Sequence, residues 1–279
     1  MKIAITGHKG KIGSYFVKRY GLPFLDCDIR NKLNIRTELD KIKPDIILHF
    51  AAMTDVDKCE KNGKEAFEIN VRGTLNLLEL FTGSYFIYMS TDHVFDGQRW
   101  WFNCPREHHD PKPINNYGFT KWQGEVTGAM FSVSNFKIIR SSKIFSYASL
   151  SKTIDNLLCS KPQVFPNFIR RSFMHIKHFA DSVMYYIDNI NEMPNLLHIA
   201  GTQSISYSLF WVNIAKELGI SGELIIERNK ELPDMSPRPF RGGLNVDKAM
   251  SLGLPNYSFA NGIEELKKEY LDENCGNGA

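Results

Sequence analysis

The chain has 279 residues, 43% of them hydrophobic and 23% charged, the mix of a folded globular protein with room for a sizeable core. Its formal net charge is +3 with both signs interspersed, which argues against nucleic-acid and membrane-surface partners. No apolar run approaches the ~20 residues of a membrane span, and the opening MKIAITG reads as strand and turn rather than as a leader.

In chain order, residues 2–6 (KIAIT) predict a strand, followed by a glycine-spaced turn and a helix over SYFVKRY. LPFLDCDI predicts a second strand. IRTELDKIK is amphipathic and is closed by Pro44, as a helix should be. DIILHFAA is continuously apolar, as a strand buried on both faces should be. AFEINVRGTLNLLELF has helical spacing, YFIYMS and FKIIRSS predict strands, LLHIAG another, and SYSLFWVNIAKELGI a helix. Strands alternating with helices imply an α/β fold, a Rossmann-like doubly wound parallel sheet. The pattern loosens after about residue 145, so residues 1–145 are expected to bind a dinucleotide. Residues 146–279 are expected to form mainly a smaller substrate-binding domain, with some segments returning to the first. The terminal DENCGNGA is expected to fray.

The five cysteines, Cys27, Cys59, Cys104, Cys159 and Cys275, fit no disulfide or zinc framework, which predicts reduced thiols and a cytoplasmic location. Cys104, His108 and His109 cluster in FNCPREHHD but lack a fourth ligand, so no metal is expected there.

The first strand runs into TGHKGKIG. Gly7 permits a tight turn, Gly10 lets backbone approach a pyrophosphate, and Gly13 lets helix and strand pack closely, with the helix N-terminus facing the phosphates. Asp26 and Asp28, ending the next predicted strand, suit an adenosine ribose and favour NAD. Lys9, Lys11 and Arg30 offset them and admit NADP, so both cofactors stay open. Further on, NNYGFTKWQGE places Tyr117 and Lys121 four apart, on one helix face. An ammonium near a phenol lowers its pKa, and a tyrosine so tuned can protonate a carbonyl oxygen that receives hydride. Thr91, at the polar end of YMSTDHVFDG, is placed to hold that oxygen.

TGHKGKIG, the strand end STD and YGFTK together resemble the extended short-chain dehydrogenase/reductases, and most of all the dTDP-4-dehydrorhamnose reductases. PDIILHFAAMTDVDKCE, IIRSSKIF and RPFRGGLNVDK extend the resemblance over most of the chain, densely to residue 145 and thinly beyond. It implies catalysis by Thr91, Tyr117 and Lys121, with Tyr117 as the acid and Lys121 also holding the nicotinamide ribose. Gly7, Gly10, Lys11, Ile12 and Gly13 would line the pyrophosphate, and Asp28 and Ile29 would lie near the adenine. Phe50, Ala51 and Ala52 would pass along the cofactor, with Asn70 supporting the site. The resemblance implies an NADP- or NAD-dependent reductase of a nucleotide sugar in polysaccharide biosynthesis, and leaves a homodimer open.

Departures from the family pattern bear on the substrate. His93 stands where those reductases carry tyrosine after Thr-Asp, and Lys143 stands where they carry an aromatic facing the sugar. NFIRRSFMHIKHFADS is more similar to a segment of nucleotide-sugar epimerases and dehydratases, in which an arginine contacts the substrate diphosphate. Arg170 or Arg171 is the expected counterpart, with Arg238 and Arg241 as second candidates. Asp92, His93 and Lys143 complete the expected substrate contacts. Two rival readings remain at this level. One is an epimerase or 4,6-dehydratase with bound NAD, although His93 replaces the glutamate that dehydratases place there. The other is a regulatory subunit that binds cofactor without turnover.

Overall fold

The computed structural model describes residues 1–98, 104–131, 135–230 and 235–275. Among the described residues ten strands are present: β1 (Ile3–Thr6), β2 (Ile46–His49), β3 (Tyr85–Thr91), β4 (Phe136–Ser141), β5 (Lys143–Phe145), β6 (Gln163–Pro166), β7 (Arg170–His175), β8 (Leu196–His198), β9 (Ser204–Ser206) and β10 (Ile225–Arg228). The main sheet is wholly parallel, in the order β1-β2-β3-β4-β8. β5, β7 and β9 form a second sheet, and β6 pairs with β10 in a third. The chain is therefore an α/β protein around a parallel sheet.

The helices are α1 (Lys11–Tyr20), α2 (Lys32–Ile42), α3 (Val56–Lys61), α4 (Gly63–Phe67), α5 (Thr74–Leu80), α6 (Asn116–Phe131), α7 (Tyr147–Leu158), α8 (Ile176–Asp188), α9 (Tyr207–Glu217), α10 (Asp247–Ser251) and α11 (Phe259–Cys275). Between α4 and α5, Glu68–Gly73 widens into a π-helical turn. Such turns often sit at functional positions, and this one carries Asn70.

The strand expected over LPFLDCDI is reduced to one parallel bridge, Phe24 to Ile5. Only Ile5 N–H to Pro23 O (2.9 Å) and Leu25 N–H to Ile5 O (2.9 Å) hold it to β1. The chain then turns away, because the Asp28 carboxylate accepts the Arg30 N–H at 2.9 Å in a local turn. With this edge on one side of β1 and β2 on the other, the strand order reverses at β1. In open α/β sheets, ligands bind at the carboxyl ends beside such a switch point.

One core cluster joins Ile5, Phe16 and Leu48 of the first half to Phe179, Tyr186 and Leu197 of the second. β8 therefore completes the main sheet from late in the chain. A separate cluster, including Phe145, Phe173, Phe210 and Leu266, packs around β5 and β7. Among the described residues no helix is long and apolar enough to cross a membrane.

Small residues bring α6 directly onto the sheet. A Cβ on Gly124 would lie 2.2 Å from the Tyr88 hydroxyl oxygen, and one on Gly128 would lie 2.0 Å from the Phe136 ring. This close approach sets the height of the helix that carries Tyr117 and Lys121. Gly128→Val is expected to cost about 1–3 kcal/mol by overpacking and to lower Tm by several degrees. Ala129→Val, one residue on at an exposed position, is the control for helix propensity. Equal melting losses in the two variants would refute the packing account.

Candidate active site

A cleft of about 740 Å³ opens at the carboxyl ends of the main-sheet strands. Its floor is the turn after β1. Gly7 takes φ +74°, and a Cβ there would lie 2.5 Å from Ala51 N, so the turn crosses the segment after β2 at backbone distance. A Cβ on Gly13 would meet Gly7 O at 2.3 Å. Gly10 caps α1 with no side-chain acceptor, and the first turn carries no acidic residue. Its N–H groups and positive dipole end are thus available to an anion. Gly7, Gly10, Lys11, Ile12, Gly13, Phe50 and Ala52 line this end.

Four residues expected along the cofactor do not line the cleft, for separate reasons. Asp28 is held by Arg30 through both carboxylate oxygens (2.6–3.0 Å). Ile29 is buried against Gly73, where any Cβ would touch it at 2.7 Å. Ala51 donates its N–H to Thr6 Oγ1 (3.2 Å). Asn70 sits behind the wall: its Oδ1 accepts from Met53 N–H (2.8 Å), and its Nδ2 donates to Met53 O and to Thr120 Oγ1 (both 3.0 Å). It pins the segment after β2 to α6. Asp26 is paired with Lys9 at 2.8 Å and faces His8, whose ring stacks on Phe24.

At the other end, β3 and β4 finish side by side, with Thr91 opposite Ser141. Thr91 Oγ1 accepts from His93 N–H (3.2 Å), faces Asp92 Oδ1 at 3.4 Å and lies beside the Tyr117 hydroxyl. Tyr117 lies at the start of α6, half-buried in the cleft wall, with Lys121 one turn further on and buried. The expected lowering of the phenol by Lys121 does not occur here. Burial pushes the Tyr117 phenol up, and Thr91 is the group that draws it down. The Lys121 ammonium instead lies 3.9 Å over the Tyr88 ring, and its own pKa falls to about 7 because burial outweighs the pull of Glu125. Glu125 is clamped by Arg140 (2.6 and 2.9 Å) and takes the Ser90 hydroxyl as well.

The remaining wall is built from distant segments. Asp92 is buried, which by itself would raise its carboxyl, yet it is held below the usual range. Arg171 (3.5 Å), the nearby His93, the Ser142 hydroxyl (2.7 Å) and Gly243 N–H (3.1 Å) hold it there. Arg171, expected to meet a substrate diphosphate, lines the cleft with its guanidinium already engaged. Nη1 donates to Arg170 O and Pro239 O (both 2.7 Å), and Nη2 lies 3.2 Å from His93 Nε2. Arg170 turns away to Ser204 O, and its backbone pairs with Arg241. Arg238 lines the cleft and binds Asp57 at 2.7 Å, pulling that carboxyl down to about 2. Lys143 is exposed at the cleft wall; burial first, and then the Lys143 charge, lower the Lys11 pKa.

His93 is buried, and its pKa falls to about 3, through burial first and then the Arg171 charge. Its ring meets Tyr117 edge-on, with centroids 5.3 Å apart. Asn115, which did not figure among the candidate residues, caps α6 by accepting Gly118 N–H at 2.8 Å and touches His93 Nδ1 at 3.1 Å. An asparagine just before a helical run is a capping signal, and that pattern could have found it. Ser142 and Gly243 carried no local signal. Among the described residues no cluster of three or more His, Cys, Asp or Glu is arranged to hold a metal. Phe102 and Asn103 of FNCPREHHD, and Leu232 to Asp234 of the proline-rich loop, lie outside the described residues.

Similar proteins share this frame. The spore coat polysaccharide biosynthesis protein SpsK of Bacillus subtilis is 25% identical over 292 residues, covering 98% of this chain and 97% of its own. The dTDP-4-dehydrorhamnose reductase of Aggregatibacter actinomycetemcomitans is 34% identical over 135 residues, 44% of this chain and 45% of its own, so that match spans about half of each protein. A crystal structure of dTDP-4-dehydrorhamnose reductase from Bacillus anthracis in complex with NADP superposes with a TM-score of 0.85 at 24% identity, over 96% of this chain and 99% of that one. The match that decides membership covers residues 1–271: the chain belongs to the RmlD substrate binding domain family.

Proposed function

We propose that the protein is an NAD(P)H-dependent reductase of a nucleotide-diphosphate 4-keto-6-deoxy sugar. The observation that carries this reading is the meeting of Thr91 and Tyr117 in one cleft with the open N-terminus of α1. The glycine turn offers N–H donors and Lys11 to a pyrophosphate, and Phe50 and Ala52 line the path toward the strand ends. A reduced nicotinamide dinucleotide supplies the hydride. Thr91 and Tyr117 hold the keto oxygen between two hydroxyls, and Tyr117 gives its proton to that oxygen as the alcohol forms. A phenol raised by burial is a proton donor rather than a phenolate at neutral pH, which suits reduction. Lys121, buried one turn beyond Tyr117 in the cleft wall, would hold a hydroxyl of the nicotinamide ribose.

The same geometry weakens the dehydratase reading. That chemistry needs a second acid/base group beside Asp92. The residue there is His93, which stays neutral down to a pH of about 3. The relatives named for polysaccharide biosynthesis and for reduction of dTDP-4-dehydrorhamnose support a sugar nucleotide as substrate. The direct assay follows absorbance of the reduced nicotinamide when protein is mixed with NADPH or NADH and a dTDP-4-keto-6-deoxy sugar, with its 3,5-epimerase present. Loss of the signal is expected. Retained signal, with nicotinamide already bound in the purified protein, would favour an epimerase instead.

Two variants probe the roles of the helix residues. Tyr117→Phe is expected to reduce kcat by roughly two to four orders of magnitude, and an unchanged rate would remove Tyr117 from proton transfer. For Lys121 the readout is stability of the cofactor-free protein against pH. Its pKa is 10.5 unfolded and about 7 folded, so between these values the unfolded chain keeps a proton that the native state has lost. Wild-type stability therefore rises with pH across this window, and below pH 7 the full penalty applies, on the order of 3–5 kcal/mol. Lys121→Met lacks the penalty. Its advantage in urea unfolding should be largest near pH 6 and shrink by pH 9, and a pH-independent difference would contradict this assignment.

A further inference from the structure

His93 faces two hydrogen-bond donors and has one lone pair to offer. Arg171 Nη2 lies 3.2 Å from Nε2, and Asn115 Nδ2 lies 3.1 Å from Nδ1. The orientation of the Asn115 amide is set by its other partners. Its oxygen accepts Gly118 N–H at 2.8 Å, and its nitrogen donates to Pro237 O at 2.9 Å, so the amide cannot turn round without opposing like groups at both. A guanidinium has donors only. A neutral imidazole carries one N–H and one acceptor nitrogen, and protonation would leave both contacts donor against donor. Burial and the Arg171 charge also hold the ring neutral.

In the free protein the acceptor goes to Arg171. Nη2 has no other hydrogen-bond partner here, whereas the Asn115 amide already has Pro237 O. Nε2 then accepts from Arg171, and Nδ1–H is left pointing at an N–H. This contact is unfavourable, and a ligand can relieve it. A phosphate oxygen is a far better acceptor for a guanidinium than a neutral imidazole is, because the bond is charge-assisted on both sides. Arg171 and His93 both line the cleft, so an anion there can take over Nη2.

We propose that His93 is a tautomer switch read by Arg171, and a donor to the substrate once the diphosphate is bound. This rests on the nucleotide-sugar reading above. When a diphosphate oxygen draws Nη2 away, the proton on Nδ1 returns to solvent and Nε2 takes one up, with no change in net charge. Nδ1 then accepts from Asn115, and the clash is gone. Nε2–H becomes a free donor beside Tyr117, for a hydroxyl or keto oxygen of the sugar. The ligand's differential affinity for the two arrangements comes from this repaired contact and from the new guanidinium–phosphate bond.

The test is the tautomer itself. Long-range proton–nitrogen correlation spectra of the histidine-labelled full-length protein separate Nδ1–H from Nε2–H rings, and His93→Gln identifies the His93 signals by their loss. Nδ1–H is expected in the free protein, and Nε2–H after saturation with dTDP or UDP, with binding checked by calorimetry. An Nε2–H ring in the free protein would overturn the proposal, as would an unchanged Nδ1–H ring in a protein that has bound nucleotide. If neither nucleotide binds, the diphosphate reading of the cleft fails on its own account. The His93 logic is then decided by Arg171→Met, whose free form should show Nε2–H. A persisting Nδ1–H ring in that variant refutes it, and if the variant does not fold, the free wild-type tautomer remains decisive.

Discussion

One buried carboxylate holds the working end of the molecule together. Asp92 follows β3 directly, yet it is met by Arg171 from β7, by the Ser142 hydroxyl between β4 and β5, and by Gly243 N–H from the loop that crosses the cleft. A carboxylate so far from water is stable only with partners of this kind, and removing one charge of a buried pair typically costs about 3–5 kcal/mol. The partners come from sequence positions far apart. Asp92 thus fixes where the second half of the chain sits relative to the strand end that carries Thr91. Arg171 extends the tie to the carbonyls of Arg170 and Pro239, which places residues 235–243 over the site.

The helix side of the site depends on a second buried network. Ala51 N–H donates to Thr6 Oγ1, Thr6 and Thr74 contact the two nitrogens of His49 at 2.7 and 3.0 Å, and Thr74 donates to Asn70 O at 2.8 Å. Because the Thr74 hydroxyl proton is committed to Asn70, it accepts from His49 Nε2–H, and His49 Nδ1 accepts from Thr6. Every side-chain proton along this line therefore has one acceptor. The π-turn at Glu68–Gly73 swings Asn70 to where its side chain reaches both Met53 and Thr120. The cleft wall after β2 and the helix α6 are positioned by the same amide.

The periodic parts of this architecture were legible in the sequence. The apolar run that became β2 is buried along its whole length, as a central parallel strand requires, whereas β4 is equally buried but carries Lys137 and Arg140 in its sequence. The glycine turn could be read because Gly7 serves a backbone conformation that its neighbours cannot alter. LPFLDCDI misled because its apolar residues face the core, Leu25 and Ile29 buried and Leu22 and Phe24 half-buried, while only Phe24 pairs with β1 and Asp28 then bonds locally. The tuning of the site was hidden for a different reason. Spacing put Tyr117 and Lys121 on one face, but the direction of the ammonium depends on Tyr88, a contact across sheet and helix. Asp92, Ser142, Arg171 and Gly243 meet only once the fold is complete, so no local pattern announces them.

The place of β8 has a consequence for how this protein is made. β4 pairs with β3 on one side and with β8 on the other, and its six residues are all buried. While the ribosome works from residue 141 to residue 196, that outer edge has no strand to pair with. At ordinary translation speeds of about 5–20 residues per second, the delay is roughly three to eleven seconds. An open strand edge, with its backbone groups unpaired, is a template for pairing with other nascent chains. The topology that puts Leu197 at the centre of the finished core therefore leaves the half-made chain with a sticky flank, and makes this interval the one in which a chaperone would matter most.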